Sequence, residues 1–223
     1  MSDHPENPPF FVIAVDGPAA SGKGTIATGL GAHFRLPVLD TGLLYRCVGV
    51  LMQKAHQDLD DHKAAAAAAA MLTADQLDDP GLRTRAAGEA ASRVAVHPRV
   101  RDALMDFQRT FARQEGGAVL DGRDIGTVIA PDAPAKLFVT ATPEVRAQRR
   151  WRQLTAQGEP VSFEDVLSDI RTRDERDGAR DSAPMRRADD AVLLDTSEMT
   201  IEQAADAARR IVEAARARWI SSS

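Results

Sequence analysis

The chain contains a single cysteine, Cys47, so no intrachain disulfide can form and a reducing compartment is expected. Aromatic residues make up only 4% of the 223 residues, so the core must be built mainly from Ala, Val, Leu and Ile, which suits helices layered on a sheet. No run approaches the roughly 20 apolar residues that span a bilayer. The first nine residues are polar and acidic, unlike a secretory leader, and read as a disordered tail. Asn7, in that tail, is the only asparagine, which removes both the Asn-Lys-x-Asp base reader of a GTPase and the catalytic-loop Asn of a protein kinase. Lysine is scarce as well: Lys23, Lys54, Lys63 and Lys136 stand against 24 arginines, within a net charge of −5. That balance disfavours a protein that grips nucleic acid polymers. It leaves a surplus of the side chain suited to bidentate recognition of phosphate.

What is present is a globular composition, 43% apolar and 27% charged. Five short apolar runs read as strands: Phe10–Asp16, Pro37–Asp40, Ala118–Asp121, Lys136–Thr140 and Ala191–Asp195. Helical periodicity lies between them, so the expected fold is α/β, a five-stranded parallel sheet with helices on both faces. Helix starts are marked by Thr142-Pro143, Ser162-Phe-Glu-Asp and Thr200-Ile-Glu-Gln. Leu43 to about Gln57 and Arg99 to about Glu115 are further expected helices, with Gly116-Gly117 turning the chain into the third strand. The seven alanines from Ala64 to Ala70 read as a helical spacer with little bulk to bury.

The strongest motif directly follows the first strand: Gly17, Pro18, Ala19, Ala20, Ser21, Gly22, Lys23, Gly24, Thr25. It fits G-x-x-x-x-G-K before a helix, with Thr one position late. Glycines let backbone N–H groups converge on phosphate oxygens, Lys23 supplies a charge for the β- and γ-phosphates, and the helix N-terminus adds its dipole. Thr25 offers a hydroxyl to Mg²⁺, directly or through water.

Two clusters at strand ends, Asp40-Thr-Gly-Leu-Leu-Tyr-Arg46 and Asp121-Gly-Arg-Asp-Ile-Gly-Thr127, each combine a carboxylate, a glycine and an arginine. Both suit a second anion beside the cradle, although each alone is equally a salt-bridged turn. In a third, Arg173, Asp177 and Arg180 are spaced to share one helical face, and Gly178 weakens the helix there, as a mobile lid requires. The alternative is a solvated helix laced with ion pairs. The five histidines, His4, His33, His56, His62 and His97, fall in the tail or on helices and read as surface or packing residues.

Together these segments closely resemble the bacterial cytidylate kinase family, over nearly the whole chain beyond the first ten residues. The resemblance implies the nucleoside monophosphate kinase fold: one domain over 10–223, its core at about 10–42, 116–150 and 190–223. A monophosphate-binding subdomain would occupy about 43–115 and a short lid about 158–189. It implies ATP-dependent phosphorylation of CMP and dCMP. It places Arg46 and Arg123 on the acceptor phosphate with Thr41 nearby, and Ser92, Arg101 and Asp124 on the cytosine. Arg173, Asp177 and Arg180 would meet the ribose and phosphates, and Lys23, Arg123, Arg173 and Arg180 would carry catalysis. Relatives usually have a strand-rich insertion before Ser92, whereas here the span is Ala-rich without alternation.

A nucleoside monophosphate is mostly dianionic at neutral pH, so its oxygen needs charge cancellation rather than a general base. That agrees with clustered arginines and no obvious catalytic histidine. The rival readings are a shikimate- or gluconate-type kinase acting on a neutral hydroxyl, and a regulatory module that binds ATP without turnover. Small size and an acidic, patch-poor surface make a cytoplasmic monomer the default.

Overall fold

The computed structural model describes residues 10–222. The expected tail at 1–9, with His4 and Asn7, lies outside the described residues. Five strands, β1 (Phe11–Asp16), β2 (Val38–Asp40), β3 (Gly117–Gly122), β4 (Ala135–Thr140) and β5 (Val192–Asp195), form one sheet in the order β2-β3-β1-β4-β5. β1 runs parallel to both β3 and β4, and β5 runs parallel to β4. Asp16, the last residue of β1, pairs with Gly122, the last of β3, on one side and with Phe138 of β4 on the other, so the carboxyl ends of β1 and β3 come level where β1 opens into the cradle. In open α/β sheets that edge is where ligands bind.

By packing, the chain divides into two compact units. The first comprises residues 10–39, 109–141 and 186–222 of the described chain. Here α1 (Lys23–Phe34) and α8 (Ile201–Ser221) bury Ile26, Ala27 and Leu30, and Ala204, Ala208, Val212 and Ala215, against Phe11, Ile13 and Val15 of β1. The helical repeat on one side meets the two-residue repeat of the strand on the other, which lets small Ala side chains pack close to the sheet. Trp219 closes the end of α8 on the ring of Phe11, 5.3 Å between centroids. Gly116 and Gly117, at φ +79° and +98°, turn the chain into β3, and a β-carbon on Gly117 would strike the Phe11 carbonyl oxygen at 2.0 Å.

The second unit, 40–108 with 142–185, is helical. It contains α2 (Thr41–Lys54), α3 (His62–Ala70), two 3₁₀ turns (Ala74–Asp78 and Pro80–Arg83), α4 (Arg85–Val94), most of α5 (Pro98–Ala112), α6 (Pro143–Ala156) and α7 (Phe163–Gly178). Capping follows the sequence signals: Thr142 accepts from Val145 N at 3.4 Å and Ser162 from Asp165 N at 3.1 Å. α2 and α4 cross closely at Gly49, where a β-carbon would sit 2.7 Å from that of Ala90. α6 and α7 are joined by Arg146, whose guanidinium meets the Asp174 carboxylate through two parallel bonds, one of them 3.0 Å.

Several expectations shift. The helix placed at 43–57 begins at Thr41, capped by Asp40, and ends at Lys54. The alanine tract is helical but is more than a spacer, since Ala65 and Ala69 are buried. His56, at φ +54°, and His97, whose ring lies 2.9 Å from the Leu59 carbonyl, sit in connections rather than on helices. α7 stops at Gly178, so Arg180 lies beyond the helix and the expected shared helical face does not extend to it.

Candidate active site

The cradle is shaped by backbone conformation. Gly17 stands at φ +148°, and a β-carbon there would fall 2.0 Å from the Val139 carbonyl oxygen. Ala20 (φ +60°) and Gly22 (φ +92°) both adopt left-handed conformations around Ser21, the alternation that turns successive N–H groups toward one point. Ser21 is fully buried rather than displayed. Its carbonyl is held by Thr196, directly after β5, whose Oγ1 lies 3.0 Å away and also 3.1 Å from the Thr140 carbonyl. Thr196 thus braces the loop from beneath. Its role is not visible in the sequence, since a threonine after a strand carries no local signal.

Lys23 opens α1, and its Nζ reaches Asp121 Oδ1 at 3.0 Å, with both side chains largely buried. Asp121 Oδ2 would stand 3.2 Å from a β-carbon on Gly24, so the end of β3 lies against the first turn of α1. Thr25 is exposed on that turn. Its hydroxyl, on the first turn of the cradle's helix, is a hard oxygen donor of the kind Mg²⁺ takes.

In the same unit, Gly122 is followed by Arg123, Asp124 and a π-helical turn, Ile125–Ile129. Such turns recur at functional sites because they re-aim side chains. Arg123 is half-buried and Asp124 buried. Asp16 accepts from Ile125 N at 2.8 Å and Gly126 N at 2.7 Å. Burial pushes the Asp16 carboxyl up to about 7, against these two N–H donors, which favour its charged form; Asp124 and Asp121 add to the upward push. From sequence Asp16 is only the end of a strand, although a carboxylate closing an apolar strand just before the cradle is a visible signal.

The second unit holds another cluster. Thr41 is buried at the start of α2. Arg46, one turn on, donates from Nη1 to the Leu82 carbonyl at 2.8 Å. A β-carbon on Gly88 would lie 3.4 Å from Arg46 Nη1 and 3.6 Å from Arg173 Nη1, so two guanidinium groups end beside one point above α4. Asp177, 1% exposed, is flanked by Arg173 Nε at 3.9 Å and by Arg180, which pairs with it through the terminal turn of α7. Ser92 on α4 and Arg101 on α5 are both buried, Arg101 lying over the Tyr45 ring at 5.6 Å. Thr41, Arg46, Ser92, Arg101, Arg173, Asp177 and Arg180 thus belong to one unit, and the cradle, Arg123 and Asp124 to the other.

Known proteins resemble this chain over most of its length. The sequence profile of the family described as Cytidylate kinase matches residues 13–214. A protein of Caulobacter sp. (strain K31) named Cytidylate kinase is 68% identical over 94% of this chain and 97% of its own length. One of the same name from Xanthobacter autotrophicus is 62% identical over 93% and 99%. Among solved structures, an uncharacterized protein from Eubacterium ventriosum shares the fold at TM-score 0.53 and 15% identity, covering 91% of this chain and 98% of that one.

Proposed function

The chain belongs to the cytidylate kinase family, and from that premise we infer that it transfers the γ-phosphoryl group of ATP to the phosphate of CMP and dCMP. The observation that carries this reading beyond the family is the meeting of Arg46 and Arg173 over Gly88. Two guanidinium groups converging where no side chain intrudes suit a dianionic acceptor phosphate, which needs charge cancellation. A neutral hydroxyl acceptor would call instead for a base, so the shikimate- or gluconate-type reading is not favoured.

In this reading the backbone of Gly17–Thr25 and Lys23 hold the donor phosphates. Arg46, Arg123 and Thr41 hold the acceptor phosphate, while Ser92, Arg101 and Asp124 read the cytosine. Asp177 orients Arg173 and Arg180 toward the ribose and phosphates, because a buried carboxylate between two guanidinium groups fixes both. Transfer is in line, and the convergent cations stabilise charge spread over the transferring group. Mg²⁺, held through Thr25, supplies further cancellation of phosphate charge when bound. The segment at 158–189 acts as the lid and 43–115 as the monophosphate-binding part, in a cytoplasmic monomer that engages neither membrane nor nucleic acid polymer.

Coupled measurement of ADP release with CMP, dCMP, UMP, AMP and shikimate tests the assignment. A strong signal with the cytidine nucleotides alone is expected. Faster turnover with UMP would remove Ser92, Arg101 and Asp124 as cytosine readers, and a signal with shikimate would overturn the acceptor class.

A further inference from the structure

We propose that Asp16 is a positioning residue for the acceptor: its carboxylate ties the turn that carries Arg123 and Asp124 to the strand that opens into the donor cradle. This rests on the reading of Arg123 and Asp124 as acceptor-binding residues. Pairing between β1 and β3 ends with Asp16 opposite Gly122, so the ladder holds the chain up to the residue before Arg123 and no further. Beyond it, Ile125 N and Gly126 N bond to the two oxygens of Asp16 at 2.8 and 2.7 Å. Arg123 and Asp124 are thereby spanned by the ladder on one side and the carboxylate on the other. Gly17, the next residue after Asp16, begins the cradle. One side chain therefore couples the backbone that holds donor phosphates to the loop that meets the acceptor.

The surroundings of Gly126 show that this contact is built. A β-carbon on Gly126 would lie 3.3 Å from Asp16 Oδ2 and 3.2 Å from Lys136 Cδ, so only glycine leaves both neighbours undisturbed. The Lys136 stem is fixed there by its ammonium, which reaches the Pro131 carbonyl at 2.6 Å and the Asp190 carboxylate at 2.7 Å. Asp16 itself is 5% exposed, so water does not replace what it holds. Asparagine at this position keeps the shape but can accept with one oxygen only, and sets an NH₂ group against a backbone N–H.

The test uses the full chain at pH 8. Asp16→Asn is compared with wild type by amide hydrogen exchange at Ile125 and Gly126 and by KM for CMP and ATP separately. Expected are exchange and KM for CMP each raised about 10-fold, the scale of one lost charge-assisted hydrogen bond, with KM for ATP unchanged within about twofold. Gly126→Ala, which crowds the same contact without altering charge, raises KM for CMP in the same selective way and serves if Asp16→Asn does not fold. Unchanged exchange, or equal rises in both KM values, overturns the inference. Arg123→Ala separates the two readings. If it raises KM for CMP while the Asp16 and Gly126 variants do not, only the tether fails; if KM for CMP is indifferent to Arg123 as well, the acceptor reading fails and the inference with it.

Discussion

Lys23 Nζ stands 3.0 Å from Asp121 Oδ1, joining the start of α1 to the end of β3 through a largely buried ion pair. A buried carboxylate that holds an ammonium on a short leash keeps its long, flexible stem in one place, which reduces the ordering needed when that charge acts on phosphate.

Replacement of Lys23 by Met removes that charge and retains most of the stem. Turnover should fall by about 10³-fold, the upper end for loss of one stabilising donor. CMP affinity, measured by calorimetry, should stay within a few-fold, since the lysine serves the donor side. Near-normal ADP release in Lys23→Met would remove the cradle from the mechanism.

Gly17→Ala addresses the loop itself. Its φ of +148° disfavours any β-carbon, and the one introduced would meet the Val139 carbonyl at 2.0 Å. The cradle must then move away from β4. ATP affinity, followed by equilibrium binding, should fall by at least about 10-fold, together with a stability loss of about 1–3 kcal/mol from local strain. Retained ATP affinity would show that the loop tolerates a backbone shift.

The sheet, the cradle and the helix starts were legible because each rests on local chemistry: apolar runs for buried strands, a glycine pattern for the phosphate loop, Ser and Thr for caps. What escaped depends on residues far apart in sequence. Thr196 bracing Ser21 joins positions 175 residues apart, and Asp16 holding Ile125 joins positions 109 apart. The shared face assigned to Arg173, Asp177 and Arg180 assumed unbroken helix, whereas α7 ends at Gly178 and the pair with Arg180 forms across the ending turn. The alanine tract departs in the other direction, since low side-chain volume does not imply low burial: Ala65 and Ala69 are buried.

That tract yields a position-specific expectation. Ala65 is buried where α3 faces its own unit, whereas Ala67 is exposed on the same helix. Ala65→Glu buries an unpaired carboxyl and should cost about 2 kcal/mol or more in urea unfolding. Ala67→Glu should stay within about 0.5 kcal/mol of wild type. Equal effects at the two sites would return the tract to the role of spacer.

Asp174→Ala leaves the Arg146 guanidinium, 4% exposed as a side chain, without the carboxylate that meets it between α6 and α7. Loss of one partner of a buried pair costs about 3 kcal/mol. A clear fall in the denaturation midpoint is expected. An unchanged midpoint would mean that water or another group takes over the charge.

The remaining prediction concerns pH. Burial raises the Asp16 carboxyl to about 7, whereas the unfolded chain releases that proton near 4. Between those values the folded protein binds more protons than the unfolded one, so the contribution of Asp16 to stability is greatest below about 4, is lost as pH rises to about 7, and is flat above. Asp16→Asn does not titrate. The stability of wild type relative to Asp16→Asn, from urea unfolding at matched ionic strength, should therefore decline from pH 5 to pH 8. The carboxylate is fully charged, and its two N–H bonds at their strongest, only at the high end of that range, so the protein carries this carboxylate at a cost in stability under the conditions where the tether to Ile125 and Gly126 is firmest. A gap that is constant across pH would mean that the Asp16 carboxyl titrates as it does in the unfolded chain.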